Sequence, residues 1–300
     1  MNGVIVIDKP AGFTSFDVIA VVRRLTGQRK TGHTGTLDPN ATGVLPVLLG
    51  SATKAQDLIP NHDKSYVTDF RLGLTSDTLD IWGELSERQE TDVAEEELLA
   101  ALAAFRGEIE QIPPMYSAVK KNGQRLYDLA RKGVEVEREG RRVTVYRLEL
   151  LSFDAEEQSG TIAVSCSKGT YIRTLIDDLG RALGTGAVMT ALRRTEACGF
   201  TLEDCVTLEM LRKLSESGEM GGILRPVDRL FADFFPLAVS DAQAKRFQNG
   251  GALELSRTAL RNEAVPDGMR CRVYSRGGEF LGLGRTADGM LKIEKLFPKA

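Results

Sequence analysis

GHTGTLDPNATGVLPVLLG, Gly32 to Gly50, sets a single carboxylate, Asp38, between a loop of glycines and threonines and an apolar run. Val44, Leu45, Val47, Leu48 and Leu49 read as core, whereas loops ordinarily carry their charges out into water. An acid held against a hydrophobic wall is a candidate for chemistry. Pro39 fixes the backbone beside it, and Gly32, Gly35 and Gly43 permit close approach by something flat or bulky. The plainer reading of Asp38 is an Asx-type turn bond within its own loop. A phosphate cradle is not supported, because neither G-x-G-x-x-G nor G-x-x-x-x-G-K-[ST] occurs.

Outward from this stretch, Gly3 to Ile7 reads as a β-branched strand. Ser15 is the expected N-cap of a helix bearing Val18, Val21, Val22 and Leu25 and stopped by Gly27. Tyr66, Thr68, Phe70 and Leu72 alternate with Val67, Asp69 and Arg71 as in a half-buried strand, with Tyr66 at its leading end. Asp92 and Glu95 have capping-box spacing ahead of a helix from Leu98 to Phe105, broken by Gly107. Arg142 to Phe153 and Thr161 to Cys166 are strand-like, and Lys168-Gly169-Thr170 turns into a helix that buries Ile172, Leu175, Ile176, Leu179 and Leu183. Strands and helices without regular βαβ repetition predict an α+β fold with a mixed, mainly antiparallel central sheet and flanking helices. Composition shifts near Phe235-Pro236, so a large domain of residues 1–235 and a small, mostly β domain of residues 236–300 are expected. The latter should contain a helix over Asp241 to Gln248, a hairpin of Cys271 to Ser275 with Glu279 to Gly284, and a last strand over Leu291 to Leu296.

A net charge of −3 argues against indiscriminate binding to polyanions. The charge is uneven, however: residues 117–147 hold nine Lys or Arg against four acids, which predicts a local basic face. Four scattered cysteines without C-x-x-C spacing and only two histidines support neither a disulfide framework nor a metal centre. The N-terminus lacks the pattern of a signal peptide and no window is long and apolar enough to cross a bilayer, so a cytoplasmic protein is expected.

Three more residues draw notice. Arg173 lies in the first turn of its helix, where the helix dipole disfavours a cation unless an anion is near. That anion is either Asp177, one turn on, or Asp38, whose carboxylate the guanidinium fork would keep charged and aimed. Tyr66 is a core aromatic or a catalytic phenol. His33 either stabilises its turn or meets a ligand's phosphate or base.

Taken together, these residues resemble the bacterial-type tRNA pseudouridine-55 synthases. The matching blocks are Asp8-Lys9-Pro10 with Gly12-Phe13-Thr14-Ser15; Gly32 to Pro39 with Ala41-Thr42-Gly43; and Lys64-Ser65-Tyr66 with Leu72-Gly73, Thr75, Thr78, Asp80 and Gly83. Further along come Pro113-Pro114 with Tyr116-Ser117-Ala118, Cys166 to Arg173, and Leu192-Arg193-Arg194-Thr195. The resemblance implies a pseudouridine synthase fold with a PUA-like C-terminal domain, no metal and no cofactor. It also implies Asp38 as the essential carboxylate, Arg173 as its ion-pair partner, and Tyr66 stacked on the target base. His33 would support the flipped nucleotide and Lys9 would buttress the site. Tyr171 and Leu192 would contact substrate, and Lys120, Lys121, Arg125, Arg131, Lys132, Arg141 and Arg142 would follow the phosphate backbone of the T-arm of a tRNA, met by a monomer. Val188 stands where the family pattern implies a histidine. Two other classes use some of the same residues: an RNA-folding module that flips a base without essential catalysis, and a metal-free hydrolase that releases free uracil.

Overall fold

The apolar run after Asp38 becomes an interior strand, buried on both faces. A computed structural model describes residues 1–86 and 88–298. Its chain opens with β1 (Gly3–Lys9), α1 (Ser15–Thr26), β2 (Thr31–His33) and β3 (Thr42–Leu49). β1 pairs antiparallel along the whole of β3. The opposite edge of β3 is shared: β2 takes its C-terminal end, and a later strand takes Thr42 and Gly43 in parallel. Side chains alternate across this double layer. Ile5, Ile7, Leu45, Val47 and Leu49 pack with Val18 and Val22 of α1, while Val4, Val6, Val44 and Leu48 enter a second cluster behind the sheet. Such two-sided burial explains a continuous apolar run in place of alternation.

The chain continues through β4 (Lys64–Leu72), α2 (Glu95–Ala104), β5 (Gly107–Gln111), the short hairpin β6 (Lys120–Lys121) and β7 (Gln124–Arg125), and α3 (Leu126–Ala130). Next come β8 (Arg141–Asp154), β9 (Ser159–Cys166), α4 (Ile172–Ala182), β10 (Ala187–Ala197), β11 (Phe200–Thr201) and α5 (Leu208–Ser217). The main sheet runs β1-β3-β10-β4-β9-β8-β5, with β2 beside β3 and β11 beside β10; only β3 and β10 are parallel. The architecture is therefore the mixed, mainly antiparallel α+β sheet expected. α4 and α2 bury Ile172, Leu175, Ile176, Leu179, Leu98 and Leu102 in one cluster with Phe70, Ile162 and Val164 of the sheet.

A second sheet closes the chain, with β12 (Phe235–Ala238), α6 (Asp241–Gln248), β13 (Leu253–Glu254), β14 (Arg270–Tyr274), β15 (Phe280–Ala287) and β16 (Met290–Leu296) ordered β12-β14-β15-β16-β13. It has a core of its own around Leu237, Phe247 and Val273. Its Leu283 and Phe297 nevertheless join Val4, Val6, Phe200 and Phe231 of the larger region. Phe231 meets Phe234 and Phe297 at centroid distances of 5.7 and 5.9 Å, and the Tyr274 hydroxyl donates to Asp228 at 2.7 Å. The compositional shift at 235/236 thus falls inside a shared apolar cluster.

Two helix starts differ from expectation. Thr14, not Ser15, caps α1: its Oγ1 accepts from Asp17 N–H at 3.1 Å, and Asp17 accepts from Thr14 N–H at 2.8 Å. Ser15 is already helical, with its hydroxyl engaged by Leu37. α2 begins at Glu95, before the apolar pattern, because Glu97 rather than Glu95 reaches back to the Ala94 N–H, at 3.1 Å.

Gly43 makes the β3–β10 junction possible. Its φ is 101°, and a Cβ there would lie 2.1 Å from the Arg194 carbonyl oxygen. Gly43→Ala is expected to lose about 3 kcal/mol or more of stability. Equilibrium denaturant unfolding measures this, and an alanine variant as stable as its parent would show that the close approach is dispensable.

Candidate active site

The loop between β2 and β3 is pinned from beneath by two cations. Lys9, at the end of β1, is fully buried, and its Nζ donates to the carbonyls of Phe13, Pro39 and Pro10 at 2.5, 2.8 and 2.9 Å. Arg194 of β10, also fully buried, donates to the carbonyls of Val44, Gly35 and Thr36 at 2.7, 3.2 and 3.4 Å. Ser15 Oγ accepts from Leu37 N–H at 2.9 Å, and Ala41 N–H donates to the Asp38 carbonyl at 3.1 Å. The main chain on either side of Asp38 is therefore fixed.

Its carboxylate faces Arg173, with Oδ2 at 3.0 Å from Nε and Oδ1 at 3.4 Å from Nη2. Arg173 is only 5% exposed, and it also donates to the carbonyls of Thr78 and Tyr116, each at 2.8 Å. Gln111 holds the start of α4 by accepting from Tyr171 N–H at 3.0 Å and donating to the Tyr171 carbonyl at 3.2 Å, which places Arg173 in the first turn. Asp177 is occupied by Arg181 at 2.8 Å, so the partner of Arg173 is Asp38. The Asp38 carboxylate makes no turn bond within its own loop among the described residues. An acid set against an apolar run is expected to be shielded from water, and here that expectation is corrected. The Asp38 side chain is 41% exposed, because the pinned carbonyls point inward and leave the carboxylate on the outer side.

Tyr66, Leu37, Ala41 and Leu192 form the apolar floor beside it. Tyr66 lies on β4 opposite Arg194. Burial pushes its phenol up to about 12, with the Arg194 guanidinium pulling the other way. The lone phenol is therefore a poor base at neutral pH. Burial brings Lys9 down to about 8, against the attraction of Asp38. His33, at the end of β2, is lowered by burial and by Arg194, and its Nδ1 is buried without a partner among the described residues. The glycines admit the protein's own side chains: Gly32 is approached by Gln56, and Gly35 by Lys64 and Arg194. Val188 is fully buried on β10 opposite Arg71 and does not reach the site.

Lys120, Arg131 and Arg141 are exposed. Arg125 and Arg131 lie over the Tyr127 ring at 5.7 and 5.5 Å. Tyr127 N–H donates to Ser117, next to the Tyr116 whose carbonyl holds Arg173, so this basic segment is stitched to the site. Arg141 lies opposite Gln111 on β8. Two residues of the site stand among the matching sequence blocks but were given no role there. Asp80 Oδ2 lies 3.9 Å from Arg173 Nε, and its Oδ1 accepts from Thr78 Oγ1 at 2.6 Å and from Trp82 N–H at 3.1 Å. Arg194 is the other; a doubled arginine in a central strand was the available signal. No group of three or more His, Cys, Asp or Glu stands ready for a metal among the described residues.

Residues 23–172 match the family model described as TruB family pseudouridylate synthase, N-terminal domain. Residues 173–232 match the tRNA pseudouridylate synthase B C-terminal domain, and residues 236–297 the C-terminal model of pseudouridine synthase II TruB. The chain belongs to the TruB family of pseudouridylate synthases. It is 43% identical over 297 residues to the tRNA pseudouridine synthase B of Clostridium perfringens, covering 99% of both chains. It is 45% identical over 297 residues to that of Burkholderia mallei, covering 99% of this chain and 97% of the other. Among solved structures, an H/ACA RNP bound to a substrate RNA containing 2'-deoxyuridine superposes with a TM-score of 0.74 at 25% identity, over 99% of this chain and 85% of that one. The two sheets are thus a TruB-type pseudouridine synthase fold with its C-terminal part, and uridine-to-pseudouridine isomerisation is the chemistry to be derived.

Arg173→Lys keeps the charge but cannot span Asp38 and two carbonyls at once. A fall of about 100-fold in single-turnover rate is expected with RNA affinity within about threefold, measured by rapid quench and filter binding. Lys9 provides a pH test. Its folded pKa of about 8 lies below its ordinary 10.5, so activity resting on its charge declines as pH rises through about 8, and Lys9→Arg moves that decline to higher pH. The stability term has the opposite sign: the unfolded chain binds the proton more tightly, so stability rises with pH between about 8 and 10.5. Rate profiles and unfolding curves over that window check both.

Proposed function

We propose that the protein converts the uridine at position 55, in the T-loop of tRNA, to pseudouridine, with Asp38 as the essential group. The observation that carries this reading is one half-open carboxylate, aimed by a buried guanidinium and set on an immobile loop above an apolar floor. The reaction breaks the N1 to C1′ bond of uridine, turns the uracil over in place and joins C5 to C1′, with no net redox change. Hydrolysing glycosidases need two carboxylates because water must be activated; an isomerisation that excludes water runs with one. Asp38 either attacks the nucleoside or takes a sugar proton to open a glycal route, and both demand a carboxylate held within reach of the extruded nucleotide.

Extrusion costs a few kcal/mol of lost stacking. Tyr66 and Leu192 offer the uracil an apolar seat, and the nucleotide completes the desolvation of Asp38 that the protein leaves unfinished. The C5 proton leaves last. With a phenol near 12, Tyr66 serves as a relay to a water or a neighbour rather than as a free base. His33, neutral and turned into the loop, supports the flipped nucleotide by packing. Lys120, Arg131 and Arg141 take phosphates of the T-arm, and Tyr171 borders the path between them and Arg173. Residues 1–235 form the catalytic domain and residues 236–300 a PUA-like RNA-binding domain in a cytoplasmic monomer that uses no cofactor.

The test is tritium release from a T-arm stem-loop labelled at uridine C5. Asp38→Asn is expected to reduce release at least about 1000-fold while RNA affinity stays within about tenfold, since affinity rests on phosphates and shape. A stem-loop with cytidine at that position releases nothing. Undiminished release by the Asn variant would refute the role of Asp38, and free uracil in the digest would mark a hydrolase instead.

A further inference from the structure

We infer that Trp82 is a stacking platform at the rim of the site, taking the face of a nucleobase adjacent to the extruded uridine. This rests on the reading that RNA occupies the Asp38 site. Trp82 is the chain's one tryptophan and is 48% exposed, in the loop between β4 and α2. Its main chain is tied to the catalytic group by a short series of contacts: Trp82 N–H donates to Asp80, whose other oxygen lies 3.9 Å from Arg173, which holds Asp38 at 3.0 Å.

The turn that carries it is rigid. Ile81 N–H donates to the Met189 carbonyl at 2.9 Å, and Met189 N–H to the Leu79 carbonyl at 3.3 Å, which fastens the turn to β10. Glu84 N–H donates to Asp77 Oδ1 at 2.8 Å. Gly83 is wedged so closely that a Cβ would lie 2.2 Å from Thr78 Oγ1 and 2.3 Å from Asp77 Oδ1. An indole fixed at its backbone, with two side-chain torsions left to order, stacks at low entropic cost.

Charge decides which part of the RNA it meets. Asp77 and Glu84 share the turn with Trp82 and repel phosphate, whereas the basic segment containing Arg125 and Arg131 attracts it. A flat, uncharged base is the portion of RNA that suits an aromatic carried on an acidic turn. Extrusion of the uridine supplies one, because it strips a stacking partner from the neighbouring base.

The sole tryptophan reports directly on this contact. In Asp38→Asn protein titrated with the T-arm stem-loop, indole emission is expected to fall by about half, with a midpoint equal to the dissociation constant from filter binding. Trp82→Ala is expected to raise KM about tenfold while the saturating single-turnover rate changes less than about threefold. Trp82→Phe recovers most of the loss; Trp82→Leu, apolar but without a π face, does not. RNA retained on the filter with unchanged emission would overturn the inference while leaving the proposed function standing, as would equal recovery by Leu. A stem-loop that fails to bind at all overturns both.

Discussion

Two buried cations without a carboxylate in salt-bridge range govern this architecture. Among the described residues, Lys9 is held by the carbonyl oxygens of Pro10, Phe13 and Pro39, and Arg194 by those of Gly35, Thr36 and Val44 together with the Tyr66 side chain. A charge removed from water is costly unless hydrogen bonds replace its hydration. Here the replacement is drawn from the loop itself: Gly35, Thr36 and Pro39 turn their carbonyls inward. That inward turn of the main chain leaves the intervening side chain of Asp38 on the outer side. The loop's conformation is thus the consequence of solvating an ammonium and a guanidinium with backbone dipoles, and the Asp38 carboxylate inherits its aim from them.

The same constraint sets the electrostatics. Asp38 has a cation alongside it in Arg173 and two others behind its loop, so negative charge on that side is favoured before any substrate arrives. Arg173 is itself held by Thr78 and Tyr116 carbonyls, which join the β4–α2 turn and the basic segment to the carboxylate. Preorganisation of this kind avoids reorientation during the reaction. What the protein leaves undone is desolvation, and the 41% exposure of the Asp38 side chain measures it. An enzyme that must seat an extruded base on its acid needs that face open, so incomplete burial and catalytic competence are compatible.

Much of this was legible from residue order, for identifiable reasons. β4 and α4 were read correctly because their periodicity matches the burial they achieve, and β1 because its short run is β-branched. Asp38 stood out because a charge abuts an apolar run. β10 was not read at all, although it is the central strand joining β3 to β4. Its sequence, AVMTALRRTEA, lacks the expected alternation because Arg194 is buried as a solvating donor in place of an aliphatic side chain, and because bulges interrupt its pairing with β4. Asp80 was quoted without a role for a related reason: its place comes from proximity to Arg173 across the fold, which spacing along the chain does not encode. Ser15 was misread as a cap because its hydroxyl serves Leu37, another long-range partner.

The cluster behind β1 and β3 carries the argument one step further. Val4 and Val6 pack there with Leu283 and Phe297 of the second sheet, while Ile5 and Ile7 face the other way into α1. The same strand ends in Lys9 and so in the Asp38 loop. The second sheet is therefore seated on the back of the strand that positions Asp38. A row of phenylalanines reinforces that seat: Phe297 stacks on Phe280 at 5.6 Å between centroids and meets Phe231 tilted at 5.9 Å. An RNA contact made by the C-terminal region, as proposed, is consequently held at a fixed offset from Asp38 rather than on a swinging arm. On that proposal, an RNA that reaches both places must present its target uridine at that offset, and selection of substrate by overall shape would follow from the apolar packing of β1.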